Sequence, residues 1–228
     1  MTDRAKKSIA LVSLGCAKNL VDSEVMLGVL RRAGHRLGAR EDEADVLIIN
    51  TCGFIKPARD EAEKEIRRAL RLKRRRPRLR VVVAGCHVER SRAELAARYP
   101  GVDSWMGVRS FDRIARAVAG REVLPGRRTF LCSHLTPRIL STPPSWAYLK
   151  ISEGCSQRCS FCAIPSIKGP YRSRPLSSIV REAKSLAARG VREINLISQD
   201  SSFYGRDLGL KHGLARLLDT LSDLHVPA

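Results

Sequence analysis

From residue 8 to about residue 119, short apolar runs alternate with stretches whose apolar positions recur at helical spacing. The runs at 9–14, 46–50 and 80–84 are rich in Val, Ile and Leu. They lack the polar alternation of a strand exposed on one face, which predicts buried strands of a parallel sheet. Helices are expected between them. One covers about 21–33, capped by Asp22 or Ser23 and stopped by Gly34. A second runs from Pro57, suited to a first helical turn, to about Leu72, and a third covers about 91–99. Residues 104–106 predict an edge strand, and Ser110 caps a helix ending near Gly120. Strand and helix in turn predict an open parallel α/β sheet over residues 1–120.

Residues 121–145 hold Pro125, Gly126, Pro137, Pro143 and Pro144 with little periodicity, and read as a linker. The pattern then resumes with a strand at 146–151. A helix capped by Ser177 follows to about Arg189, with Gly190 as its stop, then a strand at 193–198 and a helix at about 210–224. Strand, loop, helix and strand over 146–228 predict the first part of a β/α barrel, whose chemistry gathers at the carboxyl ends of its strands. The chain stops where a third barrel strand is expected, so the remaining strands are expected in a longer protein.

Of the 228 residues 43% are hydrophobic, enough to fill a core, and no apolar run approaches a membrane span. The short run 9–14 follows Arg4, Lys6 and Lys7, and Leu14-Gly-Cys16 has a lipoprotein-like look. The run is too short for a signal core, and a cytosolic protein with no membrane partner is expected. Lysine and arginine total 42 against 23 acidic residues, a net charge of +19. That balance favours polyanions, RNA or a ribonucleoprotein foremost. The densest basic stretch, 67–80, contains Lys73-Arg-Arg-Arg-Pro-Arg78 and also suits a helix carboxyl end. No aromatic residue interleaves with these arginines, so stacking of single-stranded bases is not supported.

Seven cysteines are an odd number, and clustered thiols in a reducing compartment point to metal or catalysis more than to disulfides. Cys16, Cys52 and Cys86 each follow a predicted strand directly. Ligands of open α/β sheets bind outside the carboxyl ends of the strands, so these thiols can converge on one object such as a metal cluster. Three unrelated buried thiols are the alternative. Cys155, Cys159 and Cys162 form a C-x3-C-x2-C loop with no fourth cysteine or histidine nearby. Structural zinc and common all-protein iron–sulfur sites use four ligands, so this trio leaves one metal position open. Zinc completed by a remote residue such as His134 is the alternative reading. Cys132, without a partner, reads as a bystander.

The loop resembles the cluster loop of the radical S-adenosylmethionine superfamily, including Phe161 before the last cysteine, a position that packs against adenine in that superfamily. With the three strand-end cysteines, nearly the whole chain resembles the methylthiotransferase family. Four stretches carry the likeness: Ser13-Leu-Gly-Cys-Ala-Lys-Asn-Leu-Val-Asp-Ser-Glu24, Asn50-Thr-Cys-Gly-Phe-Ile55, Ile164-Pro-Ser-Ile-Lys-Gly-Pro-Tyr-Arg-Ser-Arg-Pro175 and Gln199-Asp-Ser-Ser-Phe-Tyr-Gly-Arg206. They are similar to the branch that modifies a ribosomal protein, and the tRNA-modifying branch reads differently there.

The resemblance implies methylthiolation of an aspartate β-carbon in small ribosomal subunit protein twelve. It implies two 4Fe-4S clusters, an auxiliary one on Cys16, Cys52 and Cys86 and a radical-generating one on Cys155, Cys159 and Cys162. S-adenosylmethionine would serve as radical source and methyl donor. An unactivated C–H bond offers no acidic proton to a side-chain base, which is why radical chemistry is needed. Implied partners are the ribosomal protein or its subunit and a low-potential electron donor such as flavodoxin or ferredoxin, with the sulfur donor unidentified. The superfamily's Gly-Gly-Glu segment is replaced by Ser198-Gln199-Asp200, which makes Gln199 and Asp200 candidates for holding S-adenosylmethionine with Phe161. Lys18 and Asn19 are candidates for positioning sulfur or for entering the helix, and Arg172 and Arg174 for pairing a carboxylate. The family's later barrel strands and TRAM domain are absent from these 228 residues, which alone are expected to be inactive. The alternatives are a tRNA adenosine methylthiotransferase and a non-catalytic metal or iron–sulfur module associated with RNA.

Overall fold

The computed structural model describes residues 6–224. Its backbone divides into two compact units, one formed by residues 6–130 with 137–139, the other by 131–136 with 140–224.

The first unit is built on strands β1 (Ser8–Ser13), β2 (Arg36–Leu37), β3 (Val46–Thr51), β4 (Arg80–Gly85) and β5 (Ser104–Met106). All pair in parallel, in the order β2-β1-β3-β4-β5. Helices α1 (Ala17–Arg32), α2 (Lys56–Arg75), α3 (Cys86–Arg98) and α4 (Ile114–Val118) connect them. Every residue of β3 is buried, as its unbroken apolar run requires of a central parallel strand. Leu47, Ile49, Val81 and Val83 pack with Ile66 and Ala69 of α2 and Val88 and Leu95 of α3. This order has its topological switch between β1 and β3, the place where open sheets of this kind present their binding crevice.

The first helix departs from the sequence expectation. Gly15, at φ 92°, turns the chain sharply after β1, and α1 begins at Ala17 with Cys16 as its N-cap. Asp22 and Ser23, expected as caps, lie buried inside the helix, and the Ser23 hydroxyl bonds inward to Ser13 Oγ at 2.8 Å. Likewise α3 begins at Cys86 instead of Ser91, because Ser91 is a kink within it (φ −138°, ψ 32°). After Ser110 a 3-10 turn, Phe111–Arg113, precedes the short α4.

Residues 121–145 contain no helix or strand. The second unit opens with β6 (Trp146–Lys150) and β7 (Ser152–Glu153). It continues with α5 (Ile164–Lys168), β8 (Arg172–Ser173), α6 (Leu176–Ala188), β9 (Glu193–Ile197) and α7 (Gly213–Ser222). β6 and β9 pair in parallel with α6 between them in the chain, a β/α/β unit. Ala147, Leu149 and Ile151 pack against Ile179, Ala183 and Leu186 of α6 and Leu217 of α7. β7 and β8 pair antiparallel and close the base of the cysteine loop. Pro175, not Ser177, is the N-cap of α6. The fold is mixed α/β, a parallel α/β sheet unit followed by the first part of a β/α barrel.

Candidate functional site

In the first unit the turns after β1, β3 and β4 carry Cys16, Cys52 and Cys86, and three glycines let those turns touch. A Cβ on Gly15 would lie 2.6 Å from Cys52 Cβ. One on Gly53 would lie 2.7 Å from the Cys86 carbonyl oxygen, and one on Gly85 would lie 2.5 Å from Asn50 Oδ1. Gly15 and Gly85 also hold positive φ, 92° and 106°. Each cysteine therefore has beside it a glycine that no larger residue could replace without moving the neighbouring turn.

Asn19 ties the same three turns together. Its Nδ2 donates to Leu14 O at 3.0 Å and Thr51 O at 2.9 Å, and its Oδ1 accepts from Cys86 Sγ at 3.5 Å. Asn50 Nδ2 donates to Asn19 O at 2.9 Å and Ser23 Oγ at 2.8 Å, and Thr51 Oγ1 donates to Ala84 O at 2.6 Å. Apart from Leu14, which is half-buried, all of these residues are buried, where satisfied networks rigidify and half-satisfied ones cost stability. Asn19, weighed from sequence between sulfur chemistry and helix entry, is thus the knot of the strand ends. The part that Asn50, Thr51 and Ser23 play in this network was not read from the sequence, where Ser23 stood only as a candidate helix cap. The visible signal was polar residues closing the apolar run of β3.

The Cys16 thiol is exposed, Cys52 half-buried and Cys86 buried. Cys16 is the N-cap of α1 and Cys86 the first residue of α3, so both stand at helix amino ends. Among the described residues no three His, Cys, Asp or Glu side chains are grouped closely enough, as placed, to hold one metal ion. It is the cysteine-bearing turns that converge. Three thiols on turns pared down to glycine suit a thiolate-ligated cluster.

In the second unit Gly154, at φ 81°, packs against the Gly169 carbonyl, which a Cβ would approach to 2.6 Å. Cys155, buried, donates its N–H to Gly169 O at 3.1 Å, while Cys159 is exposed and Cys162 half-buried. Phe161 projects into solvent, 86% exposed, as a ring that is to cover a ligand would. Beneath the loop lies Glu153, 1% exposed. Its carboxylate accepts from Lys150 Nζ at 2.9 Å and Gln199 Nε2 at 2.6 Å and faces Lys168 Nζ at 3.4 Å. Burial alone would push this carboxyl up, but the Lys150 and Lys168 ammonium groups outweigh it and hold it down to about 2.

Gln199 and Asp200, at the end of β9, both reach the loop. Asp200 Oδ2 accepts from Gln157 Nε2 at 3.0 Å and Oδ1 from Ser202 Oγ at 2.7 Å, and these bonds hold its carboxyl below the usual range. Gln199 Oε1 is buried and has no hydrogen-bond donor among the described residues. A buried acceptor left open at a strand end suits an amino group of a ligand.

Arg174 is not available to a ligand carboxylate. It is fully buried, donating to Lys150 O at 2.7 Å and Ser178 Oγ at 3.2 Å and pairing with Glu182 at 2.6 Å. Both ring nitrogens of His134 are engaged, Nδ1 with Ser178 Oγ and Nε2 with Arg181, each at 3.3 Å, so it offers no ready fourth zinc ligand. Cys132 is buried, with Arg174 Nη1 3.8 Å from its sulfur.

Residues 8–107 match the family described as Uncharacterized protein family UPF0004, and residues 149–225 match the Radical SAM superfamily. The ribosomal protein uS12 methylthiotransferase RimO of Pelotomaculum thermopropionicum is 46% identical over 224 residues, covering 96% of this chain and 50% of that protein. The same-named protein of Symbiobacterium thermophilum is 47% identical over 223 residues, covering 95% of this chain and 46% of its own. The chain therefore spans about half the length of the curated relatives it matches. A solved radical S-adenosylmethionine methyltransferase, TsrM from Kitasatospora setae with cobalamin and a [4Fe-4S] cluster bound, has a TM-score of 0.61 at 15% identity. It covers 94% of this chain and 50% of its own and speaks for the fold.

Proposed function

We propose that the chain is a methylthiotransferase of the radical S-adenosylmethionine superfamily and serves the methylthiolation of an aspartate β-carbon in ribosomal protein uS12. The observation that carries this reading is the convergence of three cysteine-bearing turns at one switch point, in a chain that also holds the C-x3-C-x2-C loop. The relatives named RimO, at 46–47% identity, point to the uS12 substrate.

In this reading Cys16, Cys52 and Cys86 hold an auxiliary 4Fe-4S cluster, and Cys155, Cys159 and Cys162 hold the one that engages S-adenosylmethionine. When bound, these groups supply the radical and sulfur chemistry that an unactivated C–H bond demands and that no side chain can provide. The chain's own part is to bind and orient. Gln199 Oε1, buried with no donor among the described residues, would accept a hydrogen bond from the amino group of S-adenosylmethionine, and the exposed Phe161 ring would cover the adenine. Asp200, through Gln157, holds the cysteine loop to the end of β9. The Lys150–Glu153–Lys168 triad fixes the floor of the loop, and the Asn19 network fixes the spacing of the other three turns.

A cytoplasmic location and a low-potential electron donor such as flavodoxin or ferredoxin belong to the same proposal. The test is mass spectrometry of uS12 and of tRNA nucleosides from cells with and without the gene. A methylthio increment on a uS12 aspartate that disappears with the gene is expected. Its retention, with loss of a methylthio group from tRNA adenosine instead, would move the assignment to the tRNA branch.

A further inference from the structure

The arginine run at the carboxyl end of α2 sorts into two classes. Arg67 faces Glu63 at 3.7 Å, Arg68 bonds Glu65 at 2.7 Å and Glu41 at 2.9 Å, and Lys73 bonds Asp103 at 2.6 Å. Arg71, Arg74, Arg75 and Arg78 are exposed. Their side chains make no hydrogen bond or ion pair recorded among the described residues. Arg71, Arg74 and Arg75 stand at the spacing that puts residues on one helix face, and Arg78 follows in the turn beyond Pro77.

Two shallow grooves flank this stripe. One is lined by Glu41, Asp42, Arg68, Arg71, Leu72 and Arg75, the other by Lys73, Arg74, Pro77, Arg98 and Tyr99 among others. The acids in the first are already answered, Glu41 by Arg68 and Asp42 by Arg40 at 3.1 Å. The carboxyl end of one helix does not call for so many cations, since its dipole acts only over the last turn and Lys73 already lies there.

We propose that this stripe is a docking surface for the phosphate backbone of duplex RNA, a binding function separate from methylthiolation. Guanidinium groups match phosphate oxygens bidentately and suit them better than ammonium groups do. Tyr99, the aromatic residue of these grooves, is buried with its hydroxyl on Glu63, so no ring is offered for stacking unpaired bases. None of the exposed large hydrophobic residues among the described residues lines these grooves, so a protein partner finds no large apolar anchor in them. What remains is recognition of shape and phosphate, the mode that duplex RNA permits.

The test is fluorescence anisotropy of the 228-residue chain with a labelled RNA duplex across a salt series. Arg71→Gln/Arg74→Gln/Arg75→Gln/Arg78→Gln is compared with Lys184→Gln/Arg189→Gln/Arg192→Gln/Arg216→Gln, which removes the same charge from exposed positions of the second unit. Circular dichroism confirms that both variants fold. The stripe variant is expected to bind at least about tenfold more weakly and to lose about 3 to 4 from the slope of log affinity against log salt. The control is expected to change little. Equal weakening in both variants would mean diffuse attraction by net charge and would overturn the proposal. So would tighter, stripe-dependent binding to phosphatidylserine vesicles or to a polyglutamate peptide than to the duplex.

Discussion

Glu153 shows how a single residue links the fold to the proposed chemistry. It lies two positions before Cys155, and its carboxylate meets both Lys150 and Lys168 in a site closed to water. Breaking a buried pair by removing one partner costs far more than the pair itself contributes, because the remaining charge is stranded. Glu153→Gln is therefore expected to destabilise the second unit by about 3 kcal/mol, read as a lower midpoint in urea unfolding followed by the Trp146 fluorescence. An unchanged midpoint would mean that the triad contributes nothing to the loop floor. Neither Glu153 nor Lys150 could be singled out from sequence. Charged residues beside a cysteine loop look like solvated surface until the fold buries them, and Arg174 misled for the same reason.

At the scale of elements, strand order and glycine placement decide what the cysteines can do. The parallel sheet, four of its five strands and most of its helices were legible, because apolar runs and helical periodicity report burial directly, whereas the two-residue β2 carries no such run. Helix starts were less so. Ser and Asp resemble caps in sequence, yet Asp22 and Ser23 turn inward because Gly15 releases the chain into α1 earlier. The strand-end position of the three cysteines was visible, whereas the glycine contacts between their turns depend on pairing across the sheet and leave no local signal. Gly85→Ala tests that pairing. Its Cβ would press on Asn50 Oδ1 and its φ of 106° strains any L side chain, so a loss of about 1–3 kcal/mol in the first unit is expected, measured by thermal unfolding. A Tm equal to that of the parent chain would show that the turns are not packed as described.

Across the whole chain, two units carry one cysteine trio each, and the family likeness covers nearly all 228 residues while spanning about half of each relative. The net charge of +19 says only that polyanions attract; which arginines are unpaired had to be read from the structure. The proposal that both trios hold clusters is tested most directly by iron and acid-labile sulfide content after anaerobic reconstitution, measured on the chain beside Cys52→Ala and Cys155→Ala. About eight irons with matching sulfide are expected, falling to about half in each variant. Bound zinc without sulfide, or iron that neither substitution lowers, would contradict it.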